Sequence, residues 1–163
     1  MGILFKDQIA SFFSSLFYLG IFFIISGILV YSTKFVKPRE GKIYFFDSLF
    51  IGIFQAIAIL PGISRSGATI SSGMFRGIKK EEAVKFSFLM AIPIVLGAAL
   101  IELKDLSIEG ISYSLLSISL ILTFLVSLFT IKVLLKIIKS DDFYLFGIYN
   151  FVLGILVLVW SFR

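Results

Sequence analysis

The chain has 163 residues, of which 59% are hydrophobic, 20 are Phe and only 15% are charged. A soluble domain of this length cannot cover so much apolar surface, so the composition is that of an integral membrane protein. With no Cys and no His, disulfides, zinc-thiolate sites, a cysteine nucleophile and the commonest general base are excluded. The net charge of +5 sits in short clusters between apolar runs. That pattern sets membrane orientation and does not read as a nucleic-acid surface.

The N-terminus, Met1 to Asp7, has no basic region ahead of an apolar run and no small-residue cleavage site, so it does not read as a removed signal peptide. From Phe12 to Ser32 the chain is apolar apart from small hydroxyl residues, long enough for a first spanning helix at ~20 residues per ~30 Å. A basic loop follows, with Lys34, Lys37, Pro38, Arg39, Glu40, Gly41 and Lys42. Asp47 is expected to cap the next helix, Ser48 to Leu60. About 13 residues rise only ~20 Å, too little to span. The next helical piece, Ser66 to Arg76, is shorter still, and Arg76, Lys79 and Lys80 make a second basic cluster.

Two basic clusters on the same, cytoplasmic, side (34–47 and 76–82) require the segment between them to enter and leave on one face. The two short helices therefore read as a re-entrant hairpin. The competing topology, one bent helix from Ser48 to Phe75, would put the clusters on opposite faces. Irregular backbone at membrane depth is tolerated only where protein or water surrounds it. Glu81 and Glu82 open the next span at its favourable dipole end, and that span runs to about Ile101 through Pro93 and Gly97. Glu102, Lys104, Asp105 and Glu109 mark an acidic outer loop. Ser112 to about Ile138 is another span, ending at Lys132, Lys136 and Lys139. Asp141 and Asp142 open the last one, Phe143 to Trp160. The expected fold is all-α: a polytopic single membrane domain over 1–163, with about four transmembrane helices plus the hairpin and both ends outside.

The chemistry concentrates at the tip of that hairpin, Leu60-Pro61-Gly62-Ile63-Ser64-Arg65-Ser66-Gly67-Ala68-Thr69. Pro61 ends the first helix, and Gly62 and Gly67 permit tight turns and close approach. A helix restarts near Ser66, with Ser64 or Ser66 as its cap. Free N–H groups at that start, flanked by Ser64, Ser66, Thr69 and Arg65, suit a phosphate. A charged side chain in such surroundings is by default a functional candidate. The bland readings are a snorkelling Arg65, hydroxyls of Ser64 and Thr69 bonded back to helix carbonyls, and Gln55 in a helix–helix hydrogen bond.

Pro61 to Thr69 resembles the PGxSRSGxT motif of the undecaprenyl-diphosphatase family, the bacitracin-resistance phosphatases of the bacterial inner membrane. The likeness extends through Phe86 to Pro93, similar to the family's FSFLLAIP segment, and upstream to Gly52, Gln55 and Ala56. The resemblance implies catalytic roles for Ser64, Arg65 and Thr69 on a lipid diphosphate, with Gly62, Ser66, Gly67 and Gln55 binding substrate. It implies hydrolysis of undecaprenyl (polyprenyl) diphosphate to the monophosphate, which recycles the lipid carrier for cell-wall glycans such as peptidoglycan. It also implies a divalent cation, Mg or Ca, held by an acidic ExxxE-type motif in the family's first half, together with a Ser and a His. Nothing in these residues matches that half, so the chain looks like the second half alone: no metal ligands, and incomplete and inactive by itself. A first-half chain or a missing N-terminal segment is the expected partner, beside the lipid substrate and the bilayer. The competing readings are half of an inverted-repeat transporter for a lipid phosphate or anion, and an inert truncated fragment.

Overall fold

The computed structural model describes residues 11–39, 43–105, 112–139 and 142–163. Met1 to Asp7, Glu40, Gly41, Lys42, Glu109 and Asp141, which figure in the sequence reading, lie outside the described residues. Six α-helices, besides a short helical stretch over 11–13 and one 3-10 turn, occur in the described residues, with no strand among them. The first, α1 (Leu16–Ser32), continues into a 3-10 turn over Thr33–Phe35. It begins later than the apolar run because Ser15 takes extended geometry and breaks the helix. Four helical segments are long and apolar enough to cross a membrane: Leu16–Phe35, Lys80–Leu103, Tyr113–Lys136 and Phe143–Ser161.

Between the first two spans lie α2 (Phe45–Ile57) and α3 (Arg65–Phe75), both too short to cross. Helix α2 starts and stops three residues earlier than the sequence suggests. Asp47 is not its cap: Tyr44 holds that position in extended geometry, and Asp47 lies in the first turn and accepts the Tyr44 N–H at 3.1 Å. Asp47 is buried, with 1% of its side chain exposed, and pairs with Arg39 and, at 2.8 Å, with Arg76 Nε. Arg76 closes α3. One carboxylate therefore ties the start of α2 to the end of α3, so the helix pair returns to the level from which it departs. This is the hairpin geometry, with both feet in one place.

At the hairpin tip, Leu60 and Ile63 close successive turns and Gly62 sits at φ +91°, a conformation that L side chains rarely adopt. A Cβ there would also meet the Leu19 carbonyl oxygen at 2.8 Å, so Gly62 lets the tip lie against α1. Helix α3 is the most enclosed element, with an unbroken buried run from Gly67 to Gly73. It packs on α1, α2 and the next helix. The core around it joins Val30, Ile51, Ile70, Ile78, Val84 and Phe143.

The remaining helices are α4 (Lys80–Asp105), which runs unbroken through Pro93, α5 (Tyr113–Lys139) and α6 (Phe143–Ser161). Helix α6 lies antiparallel along α1. Gly20 faces Gly154 and Gly27 faces Gly147, and a Cβ on Gly27 would come within 2.8 Å of the Gly147 carbonyl oxygen. Small residues of this kind let two membrane helices approach backbone to backbone, where packing rather than hydrophobic burial drives association. Helix α5 exposes nearly all of its described apolar side chains. A lipid environment would cover that surface.

Candidate functional site

The tip is built around the start of α3. Ser64 is extended at φ −65°, ψ 113°, and its Oγ accepts the Gly67 N–H at 3.1 Å, so Ser64 rather than Ser66 is the cap. The Ser64 N–H donates in turn to Ser26 Oγ on α1 at 3.1 Å. Ser26 is fully buried. It fixes the tip against the first span, a role invisible in a sequence where it is one small residue of an apolar run. The N–H groups of Arg65 and Ser66, ahead of the first helical hydrogen bond, have no partner among the described residues. These are the donors to which a helix dipole draws an anion.

Arg65 and Gln55 come together. Arg65 Nη2 donates to Gln55 Oε1 at 3.1 Å, and both residues are half-buried. Arg65 forms no ion pair with any described residue, unlike Arg39 and Arg76, which share Asp47. Its position is thus held by a neutral amide, and its charge is not neutralised by an acid.

Thr69 lies elsewhere. It is fully buried, its Oγ1 is 3.0 Å from the Arg65 carbonyl oxygen and 2.6 Å from Ser87 Oγ on α4. A hydroxyl has one proton. With Thr69 donating to the carbonyl, Ser87 donates to Thr69, and the pair locks α3 to α4. Gly67 is buried against Val30, where a Cβ would lie 3.0 Å from Val30 Cγ2. Ser64, Ser66 and Gly67 line a cavity of about 230 Å³ closed on the far side by Phe143, Phe146 and Asn150; Arg65 and Thr69 do not line it. A larger cavity of about 530 Å³ opens beside Lys34, Lys79 and Lys80 and contains no residue of the tip.

The family profile described as "Bacitracin resistance protein BacA" matches residues 1–156. The chain belongs to the BacA family. Among similar proteins, the "Undecaprenyl-diphosphatase" of Methanothermobacter thermautotrophicus is 44% identical, with 96% of this chain and 91% of that one covered. The "Undecaprenyl-diphosphatase" of Alkaliphilus metalliredigens is 38% identical over 99% of this chain but only 61% of its own length. That of Methanosphaera stadtmanae is 37% identical over 99% of this chain and 59% of its own. This BacA-family chain therefore spans nearly all of one relative and about three fifths of others.

A divalent cation does not fit the donors that the described residues present. The tip offers hydroxyls, a guanidinium and one carboxamide oxygen that already accepts from Arg65, and no carboxylate to anchor a hard cation. No group of three acidic, Cys or His side chains that could hold a metal ion occurs among the described residues. The buried Asp47 is held by two arginines.

Proposed function

We propose that this chain supplies the diphosphate-binding part of a plasma-membrane phosphatase that hydrolyses undecaprenyl diphosphate to undecaprenyl phosphate and inorganic phosphate. The observation that carries the reading is Arg65: a guanidinium with no counter-acid among the described residues, beside N–H groups without a partner among them at the start of a helix enclosed among spans. Such preorganised donors favour a phosphoryl group and stabilise the charge that develops as the anhydride breaks. Ser64 keeps its hydroxyl proton for a phosphate oxygen while its lone pair caps the helix. Thr69 serves as a positioning residue that holds α3 on α4. Family membership and the names of the relatives support this substrate class.

In this reading the groups that activate the attacking water, and the carboxylates that hold the divalent cation, belong to a first-half segment or partner chain. The product returns the lipid carrier to cell-wall glycan synthesis, which is the link to bacitracin resistance. The basic loops face the cytoplasm. The test is an assay of the purified chain in detergent with a prenyl diphosphate, alone and with a first-half chain added. The expected result is binding without appreciable phosphate release until the second chain is present. Robust turnover by the chain alone would overturn the two-part reading, and absence of binding would overturn the diphosphate site itself.

A further inference from the structure

Asn150 lies near the middle of α6, in an apolar span. Its side chain is only 9% exposed, and it lines the cavity of about 230 Å³ opposite Ser64, Ser66 and Gly67. Its carboxamide forms no hydrogen bond with any described residue, and neither does the Ser66 hydroxyl across from it as a donor or acceptor of a side chain. A carboxamide carries two donor hydrogens and an acceptor oxygen, and membrane asparagines ordinarily bond a neighbouring helix. An unpartnered one in a span is unfavourable unless something in the cavity satisfies it. The polar groups across the cavity come from Ser64, Ser66 and Gly67 at the tip and include the free Ser66 N–H and two hydroxyls. A set of converging donors calls for an acceptor-rich, anionic group.

We propose that Asn150 is a ligand-binding residue, its amide N–H donating to an oxygen of a phosphoryl group seated on the free N–H groups at the start of α3. This rests on the anion-binding reading of the tip, and extends it to an element that carries none of the tip's motif. The cavity lining contains no acid to repel the group and no lysine or arginine to neutralise it. Asn150 therefore orients the phosphoryl group by hydrogen bonding, while Arg65 supplies charge from outside that cavity. Leu134, Phe143 and Phe146 give the same cavity apolar walls, which suits the headgroup of a lipid as well as a free anion.

The test is calorimetric titration of the full chain in detergent with two probes, inorganic pyrophosphate and farnesyl diphosphate. Asn150→Leu should weaken binding by about 2- to 13-fold, as loss of one hydrogen bond from a neutral donor predicts. Asn150→Asp should weaken it more, because a carboxylate repels the anion. Asn150→Leu should not lower the melting temperature, since the parent amide holds no partner among the described residues, whereas a helix-packing asparagine would lower it; the melting temperature of Asn150→Asp decides nothing, because a carboxylate in a span is costly by itself. Should Asn150→Leu fail to fold, Asn150→Ser carries the same comparison. A loss with both probes identifies the diphosphate itself as the ligand, and a loss with farnesyl diphosphate alone restricts the site to a lipid headgroup. If Arg65→Ala weakens binding while the Asn150 variants bind like the parent, the Asn150 proposal is overturned and the anion site stands. If Arg65→Ala also binds like the parent, or the parent binds neither probe, the anion site falls and Asn150 with it.

Discussion

Arg65 and Thr69 sit four positions apart in one motif and are placed differently. Arg65 has no acidic partner among the described residues, whereas Thr69 is bonded to the Arg65 carbonyl and to Ser87. Arg65→Ala is expected to weaken prenyl diphosphate binding by about 10- to 150-fold, the worth of one charge-assisted hydrogen bond. Arg65→Lys should restore only part of this, because an ammonium keeps the charge but lacks the planar fork. Thr69→Val should instead lower the melting temperature with a smaller change in affinity, since it removes the bond between α3 and α4. Titration and thermal melting of the same four proteins separate the two roles, and an affinity loss at Thr69→Val equal to that at Arg65→Ala would refute the division. Asp47 ties the feet of the hairpin through two arginines. The Tyr44 N–H holds its carboxyl below the ordinary value of 3.8, against the opposing effect of burial, and Arg76 and Arg39 add to the lowering. A depressed carboxyl contributes stability that is complete above the unfolded pKa and is lost as pH falls through the folded one. Asp47→Asn should therefore lower the melting temperature near pH 7 by on the order of 5 °C. That gap should close as the pH is taken below 3.8, and a gap that persists there would show that packing, not charge, is at stake.

At the scale of elements, two contacts decide how the tip is presented. The first is the glycine seam between α1 and α6, which brings Ser26 and Asn150 to the two sides of the tip. A Cβ on Gly147 would meet the Gly27 carbonyl oxygen at 2.7 Å, and backbone cannot step aside as a side chain does. Gly147→Leu is expected to abolish the folded protein or leave it aggregated on size-exclusion chromatography. Gly97→Ala makes the control, since nothing lies within 4 Å of that position, and a Gly at mid-helix gains ~0.5–1 kcal/mol on becoming Ala. Equal behaviour of the two variants would mean that α1 and α6 do not pack through this seam. The second contact is the Asp47 pairing, which joins the feet of α2 and α3. The sequence shows Asp47 as a helix-start residue and nothing more, because its partner Arg76 lies 29 positions away.

At the scale of the whole molecule, the spans and the hairpin fix a topology that labelling can read. Lys37 and Lys79 are exposed and flank the hairpin on either side. Single cysteines placed at these two positions should react with a membrane-impermeant thiol reagent from the same face, and protection of one when the other reacts would exclude re-entry. The apolar exterior of α4 and α5 needs no partner protein to account for it, since lipid is the solvent there.

The sequence by itself determined the membrane class, the four spans, the break at Pro61 and Gly62, and the family. Each of these is carried by local composition or by one contiguous motif, and hydropathy over ~20 residues is a strong signal because bilayer thickness is fixed. The pairing of Arg65 with Gln55 was not legible, because Gln55 read only as a helix–helix hydrogen bond or a substrate contact, and the hairpin that brings the two together is a tertiary arrangement. Only the tertiary structure decided that Ser64 rather than Ser66 caps α3, because both residues are competent caps and the choice depends on where Ser26 receives the Ser64 N–H. It alone separated Thr69 from the cavity, since a helix rotates each successive residue by ~100° and a motif read in line does not say which members share a face. It alone brought Asn150 to the tip, from 85 positions beyond Arg65, because close packing of two helices through glycines is a property of their pairing and not of either strand of sequence taken alone.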